Sequence, residues 1–108
     1  MGKKATGPDL APVVTDFARR VRAAFKVDKI IFFGSRVRGD HLSESDYDFI
    51  IVSNDFEGLP FTRRMTLMYD FWDSPLPIEP LCYTKEEFER KSNQISIVRD
   101  AVREGIEV

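Results

Sequence analysis

Continuous apolar runs alternate along this chain with segments whose apolar residues recur at helical spacing. The runs cover about residues 29–33, 47–53 and 77–83 and are rich in β-branched and aromatic residues, which predicts three strands. The first run, from Ile30 to Phe33, contains no polar residue, as expected of a strand that is buried on both faces. The order of these segments predicts a small α/β sheet with helices packed on it.

Helices are predicted before, between and after these strands. The first begins at Pro8, a residue suited to a first helical turn, and covers the sheet; the second is a short helix from Ser35. A third covers residues 63–73, with one apolar stripe formed by Met65, Met68, Tyr69 and Trp72. Leu67 and Phe71 lie off that stripe, so they are candidates for a surface that binds a partner.

The last predicted helix begins at Thr84-Lys85-Glu86-Glu87, which has the letters of a capping box. Its expected buried face consists of Phe88, Ile95, Val98 and Val102. Gly105 is expected to end this helix, and residues 106–108 add a short strand. The pattern by itself allows either a doubly wound parallel sheet or a mixed sheet.

A Gly-Ser turn follows the first strand directly. Gly34 has no Cβ, so its backbone can turn sharply and approach a ligand closely. Ser35 adds a hydroxyl at the start of the short helix, where backbone amides favour an anion. Arg36 and Arg38 add positive charge. These four residues predict a site for phosphate groups.

Two carboxylates lead into the second strand. Because side chains alternate along a strand, Asp46 and Asp48 share one face at a spacing of roughly 7 Å. Glu79 is an isolated acid within the third apolar run, and a strand beside Asp48 would bring it into reach. Carboxylate oxygens are the ligands that Mg2+ prefers, usually together with substrate phosphates. The sequence therefore predicts a metal site with two ions held by these acids.

Taken together, these residues resemble the minimal nucleotidyltransferase branch of the polymerase-β-like nucleotidyltransferase superfamily. The resemblance rests on Gly34-Ser35, ten intervening residues, Asp46-Tyr47-Asp48 and the distant acid Glu79, and it covers nearly the whole chain. Two features depart from the family pattern. The third acid is often aspartate in this family, and Pro80 follows it directly, which indicates an edge strand or a bulge.

The resemblance implies a fold and a reaction. The fold is α/β (α+β), a small mixed sheet flanked by helices, formed by residues 1–108 as a single minimal domain. The reaction moves a nucleoside monophosphate from an NTP, ATP being the first candidate, to an acceptor hydroxyl and releases pyrophosphate. Asp46, Asp48 and Glu79 would bind two Mg2+ ions, or Mn2+, while Gly34 and Ser35 hold the triphosphate.

The resemblance also implies a partner. Minimal nucleotidyltransferases commonly accompany a small helical HEPN-domain protein in a toxin-antitoxin system. The acceptor hydroxyl is then expected on that protein, because 108 residues leave little room for a separate acceptor domain. The alternative function is that of an antitoxin subunit which neutralises the partner mainly by complex formation.

The composition bears on the class of acceptor and on the location of the protein. The formal net charge of -2 and a sequence pI near 5.4 argue against a general nucleic-acid binder, so a nucleic-acid acceptor is not favoured. A single cysteine excludes an intramolecular disulfide and is typical of a cytoplasmic protein. No apolar run approaches the length of a membrane span.

Overall fold

A mixed four-stranded sheet forms the centre of the protein. The computed structural model describes residues 11–40, 45–94 and 96–108. The strands are β1 (Lys29–Phe33), β2 (Tyr47–Val52), β3 (Ile78–Tyr83) and β4 (Ile106–Glu107), in the spatial order β3-β2-β1-β4. β1 pairs antiparallel with β2 and β4, whereas β2 and β3 are parallel. The mixed sheet therefore replaces the doubly wound parallel arrangement that the pattern had also allowed.

Helices cover both faces of this sheet. They are α1 (Pro12–Ala24), α2 (Ser35–Arg38), α3 (Phe61–Tyr69), α4 (Lys85–Ser92) and α5 (Ile97–Glu104), with a 3-10 turn at Asn54–Phe56. α1 and Met68 of α3 pack on one face, against Phe32, Phe49 and Ile51. α4 and α5 pack on the other face. Alternation along β2 then decides which face receives each side chain.

The predicted strands and the short helix are confirmed with small shifts of their ends. β1 is buried on both faces from Ile30 to Phe33, as its sequence indicates. β3 lies at the edge of the sheet, in agreement with the position of Pro80. The first helix is described from Pro12, with Ala11 as its N-cap; Pro8 lies outside the described residues.

The predicted helix over 63–73 is shifted in the structure. α3 starts at Phe61, after Pro60 as its N-cap, and ends at Tyr69, beyond which tighter i to i−3 hydrogen bonds lead to Trp72. Leu67 and Phe71 are partly buried and pack against the core, so less of each side chain is accessible than a partner surface would require, and their assignment to such a surface stays a prediction. Tyr69, which belongs to the predicted apolar stripe, is 50% exposed.

The predicted last helix is two helices. α4 ends at Ser92, and a new helix starts after Ser96. The hydroxyl of Ser96 accepts a hydrogen bond from the amide of Arg99, which makes Ser96 the N-cap of α5. The capping box at Thr84 and Glu87 is confirmed at the start of α4. Phe88 and Val98 are buried as expected, but Val102 is 48% exposed, and Ile95 lies outside the described residues. Gly105 ends α5, and β4 follows.

Candidate active site

The pairing of two strands brings the three predicted acids together. β2 and β3 run parallel with Asp48 directly opposite Glu79, and Asp46 lies two residues before Asp48. One carboxylate oxygen from each acid lies within 4.8 Å of the others. Asp46 and Glu79 are exposed, whereas Asp48 is half-buried. The three residues form an open cluster of oxygen ligands, called here the acid cluster.

Strand geometry explains why this cluster lies at one end of the sheet. Asp48 shares its face with Ile50 and Val52, which pack beneath α4 and α5. The strand begins at Tyr47, so its acidic end extends beyond the packed apolar part. Antiparallel pairing sets Phe33, the last residue of β1, opposite Asp48. The turn that follows β1 is therefore held beside the acid cluster.

Gly34 occupies that turn in a conformation that L side chains rarely adopt. Its φ is 93°, and a Cβ built on it would lie 2.2 Å from Oδ2 of Asp48. The sequence indicated glycine here because backbone must approach a phosphate group. The structure shows a second reason, since the Asp48 carboxylate occupies the space that a side chain would need.

A cavity of about 390 Å³ adjoins the acid cluster and includes most of the predicted phosphate site. It is lined by Phe33, Gly34, Ser35, Arg38, Asp48, Glu79, Leu81, Ile97, Asp100, Ala101 and Glu104. The structure thus brings Gly34, Ser35 and Arg38 next to two of the three acids. We refer to this space as the phosphate cavity.

The two predicted arginines take different positions. Arg38 lines the phosphate cavity, with its guanidinium 3.7 Å from Glu104 and 3.3 Å from Asp40. Arg36 lies with its guanidinium carbon 4.1 Å from the ring centre of Tyr47, and its Nε donates to the carbonyl of Ser45. Tyr47 belongs to the opposite face of β2 from Asp48. Contact of Arg36 with a triphosphate remains a prediction.

Two acids in this cavity escaped the sequence analysis. Asp100 and Glu104 lie on the stripe of α5 that also carries Ile97 and Ala101. Asp100 and Glu104 are spaced i, i+4, which places them on one side of a helix. Only the apolar face of the last helix was predicted from the sequence, so these two acids were not assigned to the site. With these acids the region is strongly negative, and Arg38 is the only cation among the residues that line the described cavity.

Burial and the neighbouring carboxylates raise the pKa of Asp48. Burial first, then the nearby charges of Glu79 and Asp46, raise its pKa from 3.8 to about 6, against the opposing effect of Arg38. A divalent cation would relieve the repulsion among these acids. The donor set consists only of carboxylate oxygens, which fits hard cations such as Mg2+ or Mn2+ and does not fit a thiolate-preferring metal.

The raised pKa of Asp48 predicts a pH-dependent stability of the metal-free protein. The folded state holds the proton more tightly than the unfolded state, so this contribution is full below pH 3.8 and is lost as the pH rises through about 6. In a chelator, this contribution alone should lower the melting temperature by roughly 3–6 °C between pH 4 and pH 7, after a reduction for solvent screening. Other groups add to the measured change, among them Glu87, whose lowered pKa acts in the opposite direction. Thermal scans of Asp48→Asn should lack this component; a fall of equal size in that variant would contradict its assignment to Asp48.

The fold and this site together define an enzyme of nucleotidyl transfer. The chain belongs to the nucleotidyltransferase domain family, whose profile matches residues 14–103. It is similar to two proteins of Methanocaldococcus jannaschii, MJ0141 and MJ0604, both of which carry the name "Putative protein adenylyltransferase". The first is 26% identical over 93% of this chain and 99% of its own length, and the second is 30% identical over 85% and 90%.

A solved structure supports the fold. The crystal structure of a protein from Sulfolobus solfataricus, titled a "putative nucleotidyltransferase", matches with a TM-score of 0.61 at 21% sequence identity. The match covers 88% of this chain and 75% of the other. In addition, no helix among the described residues is long and apolar enough to cross a membrane.

Proposed function

We propose that this protein transfers a nucleoside monophosphate from an NTP, with ATP as the first candidate, to a hydroxyl of a partner protein. The observation that carries the proposal is the acid cluster, whose oxygens lie within 4.8 Å of one another beside the Gly34 turn. Three carboxylates at such distances repel one another unless cations are bound, and NTPs bring both phosphates and cations. We propose residues 1–108 as a single minimal domain.

Each residue of the site has a role in this proposal. Asp46, Asp48 and Glu79 would hold two Mg2+ ions, which supply charge neutralisation and a lower pKa for the acceptor hydroxyl. Gly34 and Ser35 would receive the β- and γ-phosphates, with Arg38 compensating part of their charge. Alignment of the reactants and charge compensation then provide most of the rate enhancement.

The transfer itself balances without any further reactant. The acceptor oxygen forms a bond to the α-phosphorus while the bond from that phosphorus to the bridging oxygen breaks. Pyrophosphate leaves with the electron pair of the broken bond, and the proton of the hydroxyl passes to the Glu79 carboxylate. Glu79 is suited to this because it is exposed at the open side of the acid cluster.

A protein acceptor is supported by the names of the relatives from M. jannaschii, which describe protein adenylyltransferases. We propose a HEPN-domain helical protein as this acceptor, which would make the pair a toxin-antitoxin system. The net charge of -2 disfavours a nucleic-acid acceptor. The single cysteine, Cys82, is buried and unpaired, which is consistent with the reducing cytoplasm proposed for the protein.

The proposal predicts transfer that depends on Glu79 and on the partner. The protein is incubated with Mg2+ and ATP, with and without the helical protein encoded beside its gene, and both chains are weighed by intact-mass spectrometry. We expect a mass gain of one or more nucleoside monophosphate units on the partner only. Glu79→Gln should lower this rate by about 100-fold or more, since it removes both a ligand and the proton acceptor.

Glu57→Gln is the matched control, because Glu57 is an exposed acid in the loop that follows β2. Its rate should equal that of the wild type. A partner that is neutralised without any mass gain would favour the antitoxin function by complex formation. Robust transfer to RNA or to a small molecule without the partner would contradict the protein acceptor.

A further inference from the structure

A second cavity opens beside the phosphate cavity and shares a wall with it. It has a volume of about 620 Å³ and is lined by Phe61, Arg64, Glu79, Leu81, Tyr83, Glu87, Arg90, Lys91 and Ile97. Glu79, Leu81 and Ile97 line both cavities. Glu79 of the acid cluster therefore lies at the boundary between them. We call the second cavity the side groove.

Part of the wall of the side groove consists of apolar side chains that are partly exposed. Ile97 of α5 is 56% exposed and Phe61 of α3 is 38% exposed, although both are large apolar side chains. The ring of Phe61 contacts that of Tyr83 at a centroid distance of 5.6 Å. Exposed apolar residues that line a groove next to acidic groups are typical of a site that binds an apolar or aromatic side chain.

The cations that remain available in the side groove belong to α4. Arg64 is already neutralised, because it donates to both carboxylate oxygens of Glu87 and lowers the pKa of that residue. Arg90 and Lys91 are exposed, and Arg90 pairs only loosely with Glu86 at 4.0 Å. The rim therefore offers two cations that are available to an anionic ligand.

The geometry of an in-line displacement indicates from which side the acceptor hydroxyl enters the site. In an in-line displacement the attacking oxygen approaches the α-phosphorus from the side opposite the leaving pyrophosphate. If the pyrophosphate end lies at Gly34, Ser35 and Arg38, the attacking oxygen enters from beyond the acid cluster. The side groove begins there, at Glu79.

We propose that the side groove binds the acceptor segment of the partner protein. The segment would insert an apolar or aromatic side chain between Phe61 and Ile97, place carboxylates against Arg90 and Lys91, and present its hydroxyl at Glu79. This inference rests on the proposed function and adds the location and the chemistry of the acceptor. Two cations at a rim suit a short acidic segment better than a nucleic acid, whose backbone needs a longer track of positive charge.

Two peptides that differ only in charge test the inference. The acidic peptide is Glu-Glu-Leu-Tyr-Glu-Glu and the basic one is Lys-Lys-Leu-Tyr-Lys-Lys, both with blocked ends; transfer from ATP to each is measured by mass spectrometry. The wild type should modify the acidic peptide at least about tenfold faster. The double variant Arg90→Glu with Lys91→Glu should reverse this preference, a result that misfolding cannot produce.

Arg63→Glu with Arg103→Glu is the control, since both residues are exposed and neither lines the side groove. It should keep the preference of the wild type. Calorimetry of the binding of a non-hydrolysable ATP analogue with Mg2+ distinguishes a failure of the side groove as acceptor site from a failure of the proposed function. In one outcome, Asp46→Asn loses analogue binding while the variant with Arg90→Glu and Lys91→Glu keeps both the binding and the peptide preference of the wild type. This result would overturn the side groove as the acceptor site and leave the proposed function intact.

The other outcomes are equally decisive. Loss of ATP-analogue binding in the charge-reversal variant would assign the groove to the nucleotide and overturn the inference. Labelling of neither peptide, with normal analogue binding, would also overturn it, as would transfer to an RNA oligonucleotide that depends on Arg90 and Lys91. Absence of Mg2+-dependent analogue binding in the wild type would contradict the proposed function itself.

Discussion

Replacing Asp46 and Asp48 together by asparagine should abolish Mg2+-dependent binding of an ATP analogue and leave the fold intact. Asparagine keeps the size of each side chain but removes the negative charge that a cation requires. Without bound cations, the triphosphate would meet Glu79, Asp100 and Glu104, and Arg38 is the only cation among the described residues that line this cavity. We expect the affinity to fall by at least about 100-fold, since the loss combines ligands and charge neutralisation.

Calorimetry with the analogue in Mg2+ measures this loss, and circular dichroism and the melting temperature report on the fold. Removal of two mutually repelling carboxylates should leave the melting temperature unchanged or raise it above pH 6, because burial and repulsion raise the pKa of Asp48. Glu57→Gln again provides the control. Unchanged affinity in the double variant would remove the acid cluster from the metal site.

Local rules account for the part of the site that was predicted from sequence. Gly34, Asp46 and Asp48 belong to a strand, a turn and the next strand, so alternation and chain direction fix which of them meet. Glu79 is more distant along the chain, yet its apolar surroundings predict a strand, and parallel pairing sets it opposite Asp48. The sequence therefore predicts the strand or turn that carries each residue, whereas the pairing of β2 with β3 is seen only in the structure.

Tertiary packing decided the rest. Arg64 occupies a buried position of α3, where its guanidinium donates to the carbonyls of Leu59 and Cys82 and to Glu87. A helical stripe of apolar residues cannot predict a buried arginine, because its burial depends on partners from three separate segments. For the same reason the stripe of α5 that brings Asp100 and Glu104 to the phosphate cavity depends on how that helix is placed.

The two faces of the sheet differ in how completely helices cover them. The face under α1 is closed by aromatic contacts such as Phe17 with Phe49 and Phe49 with Trp72. On the other face, the apolar cover ends before Asp48 and Glu79, and both cavities open there. A rigid, fully packed face thus supports the strand ends that hold the acids, which keeps the distances among them fixed.

Gly34→Ala should lose both metal-dependent nucleotide binding and transfer, although it adds only one methyl group. The added Cβ would lie 2.2 Å from Oδ2 and 3.1 Å from Cγ of Asp48, so the carboxylate must move. The φ of 93° adds strain, because alanine rarely adopts it. We expect a loss of at least about 100-fold in transfer rate, in line with the cost of misplacing a group by about 1 Å.

Gly39→Ala separates strain from displacement of the carboxylate. Gly39 has a similar φ of 86° with a ψ of 7°, and no atom of the described residues lies within 4 Å of a Cβ built there. Gly39→Ala should lose about 1 kcal/mol of stability, as expected of a residue with a Cβ in the left-handed helical region. Gly34→Ala should lose more, because its φ of 93° with a ψ of −163° is a combination essentially restricted to glycine, and only Gly34→Ala should lose nucleotide binding. Thermal unfolding and analogue calorimetry on both variants measure the two quantities. If Gly39→Ala loses binding to the same extent, backbone strain rather than the Asp48 carboxylate explains the need for glycine at position 34. If Gly34→Ala binds normally, the Asp48 carboxylate can leave its position without cost, and the site does not depend on this contact.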